Sequence, residues 1–177
     1  MPSFKCFLLV LSIPIVVLGC KEERKVVDSP VEGELAPNFT LPATSGGEIT
    51  LHDYQGEKQV VLYFYPKDDT PGCTKEACSF RDNIASIEGK DAVILGVSRD
   101  GLESHRAFID KFGLPFVLLS DTDGGVCRTY EVLTQRDNGT SSFNRSTFII
   151  GKDGRIKKIF RNVNVENHTE EVLSALE

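Results

Sequence analysis

The most constraining feature of this sequence is a short apolar run that leads through a proline-containing turn to two closely spaced cysteines. Residues 60–65 are β-branched and aromatic, which is typical of a buried strand. Thr70 is a suitable N-cap residue, and Pro71 suits the first helical position because no backbone N–H bond is needed there. The run therefore predicts a strand, a turn and a helix that carries Cys73 near its N-terminus.

The predicted position of Cys73 favours a reactive thiolate. A sulfur in the first turn of a helix lies near unpaired backbone N–H groups and the positive end of the helix dipole, which both stabilise a negative charge. The helix also carries an apolar stripe, made of Cys73, Ala77, Phe80, Ile84 and Ile87. Because Cys73 belongs to that stripe, we expect its sulfur to lie at the bottom of a pocket.

The second cysteine of this stretch, Cys78, lies five residues after Cys73 and off the apolar stripe. In an ideal helix their Cα atoms would be about 8.6 Å apart. A disulfide needs a separation below about 7 Å. A bond between them therefore requires the first helical turns to unwind, and we predict local melting of the helix on oxidation. A static structural disulfide is the ordinary interpretation of two close cysteines in an exported protein, but it conflicts with this geometry.

Pro66, Thr70 and Cys73 match the Pro-x-x-x-Thr-x-x-Cys active-site motif of the peroxiredoxins. The longer run at residues 70–82 resembles the bacterioferritin comigratory protein, or Q-type, branch of that family, and the resemblance extends from about Gly33 to the C-terminus. It implies a thioredoxin-like α/β fold, with a central mixed β-sheet flanked by helices. The alternation of strand-like and helix-like segments by itself predicts only the α/β class.

The resemblance also implies a role for each matching position. Cys73 would be the peroxidatic cysteine and Cys78 the resolving cysteine, and the two would form a redox disulfide. Thr70 would hydrogen-bond the sulfur and the peroxide, and Pro66 would shield the pocket. Arg145 would stabilise the thiolate and the charge on the departing oxygen.

The implied activity is that of a thiol-dependent peroxidase acting on hydrogen peroxide and small organic hydroperoxides. A sulfenic acid on Cys73 would condense with Cys78, and a thioredoxin-like dithiol donor would reduce the disulfide. No cofactor is expected, and a monomer is the usual state in this family. Two alternatives stay open. One is an envelope thiol–disulfide oxidoreductase acting on protein disulfides, which the lack of a Cys-x-x-Cys motif disfavours. The other is a non-enzymatic lipoprotein that serves as a binding platform.

The N-terminal 19 residues are predicted to be a lipoprotein signal peptide. Their apolar core, residues 7–18, is too short to span a bilayer, and residues 17–20 resemble a bacterial lipobox. Cleavage would leave Cys20 ready for lipidation, although an ordinary secretory signal or an uncleaved anchor would share this pattern. Residues 20–34 would then be the lipidated cysteine and a flexible tether, and residues 35–177 the peroxiredoxin domain. We therefore expect a lipid anchor in the bacterial cell envelope, at the outer membrane or the periplasmic face of the inner membrane.

The remaining charged and sulfur-containing residues give weaker signals. The formal net charge is −6 without a basic cluster, so nucleic acid is not an expected partner. Cys127 is predicted to be a buried core residue, with a backup resolving role as the alternative. Asp68 is predicted to lie in a solvated turn and His105 at the edge of the core. The three histidines have no ligand spacing, so no metal site is expected.

Overall fold

A computed structural model describes residues 29–135 and 141–176 of the chain. The strands are β1 (Thr40–Pro42), β2 (Glu48–Thr50), β3 (Gln59–Phe64), β4 (Ala92–Ser98), β5 (Val117–Ser120), β6 (Leu133–Gln135), β7 (Ser141–Phe143), β8 (Ser146–Ile150) and β9 (Ile156–Arg161). The α-helices are α1 (Pro71–Asp82), α2 (Ile84–Glu88), α3 (Leu102–Phe112), α4 (Gly125–Thr129) and α5 (His168–Ala175), and a short 3-10 helix spans Leu51–Tyr54.

A five-stranded sheet in the order β5–β4–β3–β8–β9 forms the centre of the fold. β3, β4 and β5 are parallel, whereas β8 pairs antiparallel with both β3 and β9. Helices follow β3 and β4 and pack on the sheet, so the predicted α/β class and mixed sheet are confirmed.

The central strand β3 is buried on both faces, which explains its continuous apolar composition. Val60, Leu62 and Phe64 face one core cluster, together with residues of β1, the 3-10 helix and α4. Val61 and Tyr63 face the other cluster, which α1, α2, α3 and α5 cover. The strand therefore fixes the position of the helix that follows it.

The sheet register places the elements of the candidate site together. Phe64, the last residue of β3, pairs with Ser146, the first residue of β8. Arg145 immediately precedes β8, and α1 begins at Pro71 after a short loop from β3. The N-terminus of α1 and the start of β8 therefore lie at the same edge of the sheet.

The predicted active-site helix is present but is interrupted. Asn83 separates α1 from α2 with a backbone φ of −111° and ψ of 11°, so the single helix predicted through Ile87 is two helices. The apolar stripe survives this break, since four of its members belong to one core cluster and the fifth, Ile84, is partly buried against it. The short hairpin of β6 and β7 was not predicted, because its strands are only three residues long each.

The segment at residues 29–36, here called the N-terminal strap, lies along β9. The Gly33 amide donates to the Ile156 carbonyl at 2.8 Å, and the Ile156 amide donates to the Glu34 carbonyl at 2.9 Å. The domain contacts therefore begin before the predicted boundary at residue 35. The predicted signal peptide, Cys20 and residues 21–28 lie outside the described residues. None of the helices in the described part is long and apolar enough to cross a membrane.

Candidate active site

The local sequence holds Cys73 at the start of α1 as predicted. Thr70 occupies the N-cap position with extended backbone angles, and Pro71 is the first helical residue. Cys73 is 1% exposed, so its sulfur is buried below the surface.

The guanidinium of Arg145 lies against the Cys73 sulfur, which places two predicted site residues together. Its Nη2 atom donates a hydrogen bond to Cys73 Sγ at 3.1 Å. Burial lowers the pKa of Arg145, but Glu76 and Cys73 raise it by more, and the net shift is upward. Arg145 is therefore a permanent cation at the sulfur.

Glu76 is a site residue that the sequence did not reveal. Its carboxylate forms an ion pair with Nη1 of Arg145 and is 1% exposed. Burial raises the pKa of Glu76 to about 7, although Arg145 acts in the opposite direction. The available signal was its place three residues after Cys73, on the face of the helix that carries the apolar stripe.

The loop from residue 66 to residue 70, here called the active-site loop, carries Pro66 and Thr70. The Thr70 hydroxyl donates to the Lys67 carbonyl at 3.1 Å. Its single proton is therefore given to the loop in this structure and not to the sulfur. Pro66 is exposed just beyond the end of β3. Gly72 lies beside the guanidinium, since a Cβ there would be 3.5 Å from Arg145 Nη2, in van der Waals contact.

The second predicted redox residue, Cys78, is partly buried on α1, and both Cys73 and Cys78 are free thiols. α1 is intact over both residues, as expected for the reduced state. The hydroxyls of Ser79 and Thr169 lie 2.7 Å apart and join the following turn of α1 to α5. A disulfide would therefore have to form N-terminal to this contact.

Two expectations near the site were wrong. Asp68 is 6% exposed and accepts hydrogen bonds from the hydroxyls of Tyr65 and Ser104, each at 2.7 Å. His105 is fully buried rather than at the edge of the core, and its Nδ1 lies 2.9 Å from Asp68. The active-site loop turns back over α3, which carries Ser104 and His105, and this tertiary contact removes Asp68 from solvent.

The third cysteine in the described residues, Cys127, is a core residue as predicted. It is fully buried in the cluster that lies on the other face of the sheet from Cys73. Burial and the nearby Asp121 raise the pKa of its thiol well above the usual range. A backup resolving role is not supported by this position.

Comparison with known proteins agrees with this geometry. Residues 33–159 match the AhpC/TSA family. The chain is 45% identical to peroxiredoxin Bcp of Bacillus subtilis over 81% of its own length and 93% of that protein. A cysteine-to-serine mutant of Xylella fastidiosa PrxQ superposes with a TM-score of 0.78 at 37% identity, covering 84% of this chain and 96% of that one.

This chain is also similar to the bacterioferritin comigratory protein of Xanthomonas campestris. That protein was solved as a trapped intermediate and ligand complex, in a study of its alkyl peroxide reduction activity. It superposes with a TM-score of 0.73 at 38% identity over 78% of this chain and 89% of that one. The fold is thus that of the thioredoxin-like thiol peroxidases. The chain belongs to the AhpC/TSA family, in its Bcp and PrxQ group of peroxiredoxins, and is a peroxidase with a peroxidatic cysteine.

Proposed function

We propose that Cys73 is the peroxidatic cysteine of this enzyme and that Cys78 resolves its oxidised form in an intramolecular disulfide. The observation that carries the proposal is the 3.1 Å hydrogen bond from Arg145 to a buried sulfur at a helix N-terminus. A cation and the N-terminal end of a helix act on the same atom, and both attract negative charge there.

The first step follows from the position of these groups. The Cys73 thiolate attacks one peroxide oxygen, a sulfur–oxygen bond forms, and the oxygen–oxygen bond breaks. The electron pair of the broken bond leaves with the distal oxygen, which takes up a proton and departs as water or an alcohol. Arg145 stabilises the developing charge, and Thr70 supports the bound peroxide once its hydroxyl turns toward the pocket.

The second step joins the two sulfurs. The Cys78 thiolate attacks the sulfenic sulfur of Cys73, a disulfide forms, and the hydroxyl leaves as water after protonation. A thioredoxin-like dithiol donor then reduces the disulfide by thiol–disulfide exchange and becomes oxidised itself. This order requires α1 to unwind over its first two turns.

Small hydroperoxides fit this pocket better than protein substrates do. Cys73 is 1% exposed, so a bulky substrate cannot reach its sulfur in this conformation. The alkyl peroxide reduction described for the Xanthomonas relative supports organic hydroperoxides beside hydrogen peroxide. Burial of the sulfur weighs against the alternative of an oxidoreductase acting on protein disulfides.

The cellular setting is part of the proposal and rests on the sequence. The lipobox-like residues 17–20 support lipidation of Cys20 and an anchor in the bacterial cell envelope, at the outer membrane or the periplasmic face of the inner membrane. The reductant would then be a thioredoxin-like protein of the envelope, and the enzyme would act as a monomer.

The test is the mass of the full chain, purified in detergent and treated with one equivalent of hydrogen peroxide. The wild type should lose about two mass units as the disulfide forms, whereas Cys78→Ser should keep a sulfenic acid on Cys73. A wild type that shows no rapid change would overturn the assignment. Metabolic labelling with a fatty acid, compared between wild type and Cys20→Ser, tests the anchor separately.

A further inference from the structure

A buried polar cluster lies beneath the active-site loop and takes no part in the steps described above. Asp68 in the loop is its centre, and three side chains lie within hydrogen-bond distance of its carboxylate. The Tyr65 and Ser104 hydroxyls donate to its two carboxylate oxygens, and His105 Nδ1 lies 3.1 and 2.9 Å from them. The backbone amide of Asp68 donates to Asp100 Oδ2 at 2.8 Å.

The partners of His105 fix the orientation of its ring. Its Nε2 lies 3.2 Å from the carbonyl oxygen of Leu119, which can only accept, so Nε2 carries a hydrogen. Nδ1 faces the carboxylate of Asp68, and the Tyr65 hydroxyl lies 3.3 Å from the same nitrogen. Asp68, His105 and Tyr65 therefore form one buried hydrogen-bonded network.

The hydrogen bonds around Asp68 favour its carboxylate form. Burial raises the pKa of Asp68, but hydrogen bonds from His105, Ser104 and Tyr65 lower it by more. Asp100 lies beside the cluster and accepts from the Ser98 hydroxyl at 2.9 Å. Each carboxylate oxygen of Asp68 therefore has a short hydroxyl donor as well as the imidazole, so its place is closely defined.

This network fixes the conformation of the active-site loop. Asp68 lies two residues from Pro66 and two residues from Thr70, and both of these are assigned to the peroxide pocket. The next residue, Asp69, has a left-handed backbone φ of 52°, which aspartate tolerates better than most residues. Lys111 of α3 also forms an exposed ion pair with the Asp69 carboxylate at 2.6 Å, which contributes little by itself.

We propose that Asp68 and His105 are positioning residues that hold the active-site loop so that Pro66 and Thr70 meet the peroxide at the Cys73 sulfur. The proposal rests on the proposed function, because it needs Cys73 to be the atom that attacks. Neither residue touches the sulfur. Their effect is to set where the Thr70 hydroxyl and the Pro66 ring lie relative to Arg145.

The experiment compares two reactions of Cys73 in the full chain, purified in detergent, in a Cys78→Ser background. Hydrogen peroxide needs both the thiolate and the organised pocket, whereas iodoacetamide needs only the thiolate. Asp68→Asn keeps the size of the side chain and removes its charge. Because small misplacements of reacting groups are costly, we expect the peroxide rate to fall by at least about tenfold. The alkylation rate of Cys73 should stay unchanged.

The matched control is Asp121→Asn, which removes another buried carboxylate. Asp121 is 1% exposed and accepts from the amides of Val126 and Cys127 at the start of α4, away from the loop. This variant should lose stability without altering either rate. The proposal is overturned if Asp68→Asn reacts with peroxide as the background protein does, or if its two rates fall together.

A milder variant covers the case in which Asp68→Asn fails to fold. Ser104→Ala removes one of the two hydroxyl donors to Asp68 and leaves His105 in place. Ser104→Ala should also lower the rate with hydrogen peroxide, by less than Asp68→Asn does, and leave the rate with iodoacetamide unchanged. The proposal is overturned if Ser104→Ala changes the two rates equally or changes neither. Failure of the background protein itself to react with peroxide would instead remove the proposed function, so the two failures are distinguishable.

Discussion

At the scale of single residues, the site depends on one arginine that binds two side chains of α1. Arg145 donates to the Cys73 sulfur through Nη2 and pairs with Glu76 through Nη1. Glu76 holds the guanidinium in the orientation that the sulfur needs. Since both partners lie in α1, the arginine also joins β8 to the helix that must unwind.

Replacing Arg145 separates its electrostatic role from its packing role. Arg145→Gln should lower the rate of Cys73 with hydrogen peroxide by about 100-fold, because a charged donor to the departing oxygen is lost. It should also destabilise the fold by leaving Glu76 buried without its cation. The double variant Arg145→Gln/Glu76→Gln should recover the stability of the fold but not the rate with hydrogen peroxide. Stopped-flow kinetics measures the rate, and thermal unfolding measures the stability. A double variant that regains the rate would contradict this role.

Glu76 should give the stability of the protein a distinct pH dependence. Its folded pKa is raised to about 7 from 4.5, so between these values the native state binds a proton that the unfolded state has released. Stability should therefore fall as the pH rises from about 4.5 to about 7, by at most about 1.4 kcal/mol per pH unit. Glu76→Gln lacks this group and serves as the reference in urea unfolding at each pH. A difference between the two proteins that does not vary with pH would contradict the expectation.

At the scale of elements, the two halves of α1 are held by different contacts. Ser79 in the C-terminal half bonds Thr169 of α5, and Phe80 is fully buried against the sheet. The start of the helix is held through Arg145, which contacts Cys73 and Glu76. Opening the first two turns therefore breaks the contacts of Arg145 and can leave those of Ser79 and Phe80 in place.

Oxidation should melt the start of α1 and leave the remainder of the fold in place. We expect disulfide formation to remove about two helical turns, over residues 71–78. Amide hydrogen exchange should show faster exchange in this segment and unchanged protection in β3 and β4. The peroxide-treated Cys78→Ser protein is the control, since it cannot form the disulfide. Equal protection of residues 71–78 in the reduced and oxidised protein would refute the model of local melting.

The elements near the site differ in how well the sequence predicted them. β3 and the start of α1 were predictable, because an apolar run, a proline and the spacing of the stripe are local signals. Asp68 and His105 were not, because their partnership joins residues far apart in sequence and depends on how α3 packs. The role of Glu76 could not be predicted either, because its partner Arg145 is distant in the sequence. An acidic residue in a helix is ordinarily solvated.

At the scale of the whole molecule, the central sheet separates two cores, and the N-terminal strap covers one of its edges. Ile156 of β9 exchanges two backbone hydrogen bonds with the strap: it accepts from the Gly33 amide and donates to the Glu34 carbonyl. The Glu32 carboxylate accepts from the Ile159 amide at 2.9 Å. An uncovered edge strand invites pairing with other chains. β9 is an edge strand of the sheet, and the strap therefore pairs with the side of β9 that no other strand in the described residues covers.

Removing the strap should weaken the domain and expose β9. A chain that begins at residue 37 should melt at a lower temperature than one that begins at residue 29, by about 2–4 °C for each kcal/mol by which the free energy of unfolding falls. It should also self-associate at high concentration. Calorimetry and light scattering of the two proteins, both lacking the residues before 29, measure these effects. Equal melting temperatures would show that the strap contributes nothing.

The burial of Cys127 makes this residue an internal reporter of opening. Its thiol lies in the core opposite Cys73, and its raised pKa keeps it protonated at neutral pH. A thiol reagent can modify it only during the moments when α4 leaves the sheet. The labelling rate of Cys127, divided by that of an exposed thiol, therefore gives the free energy of that opening in the native protein.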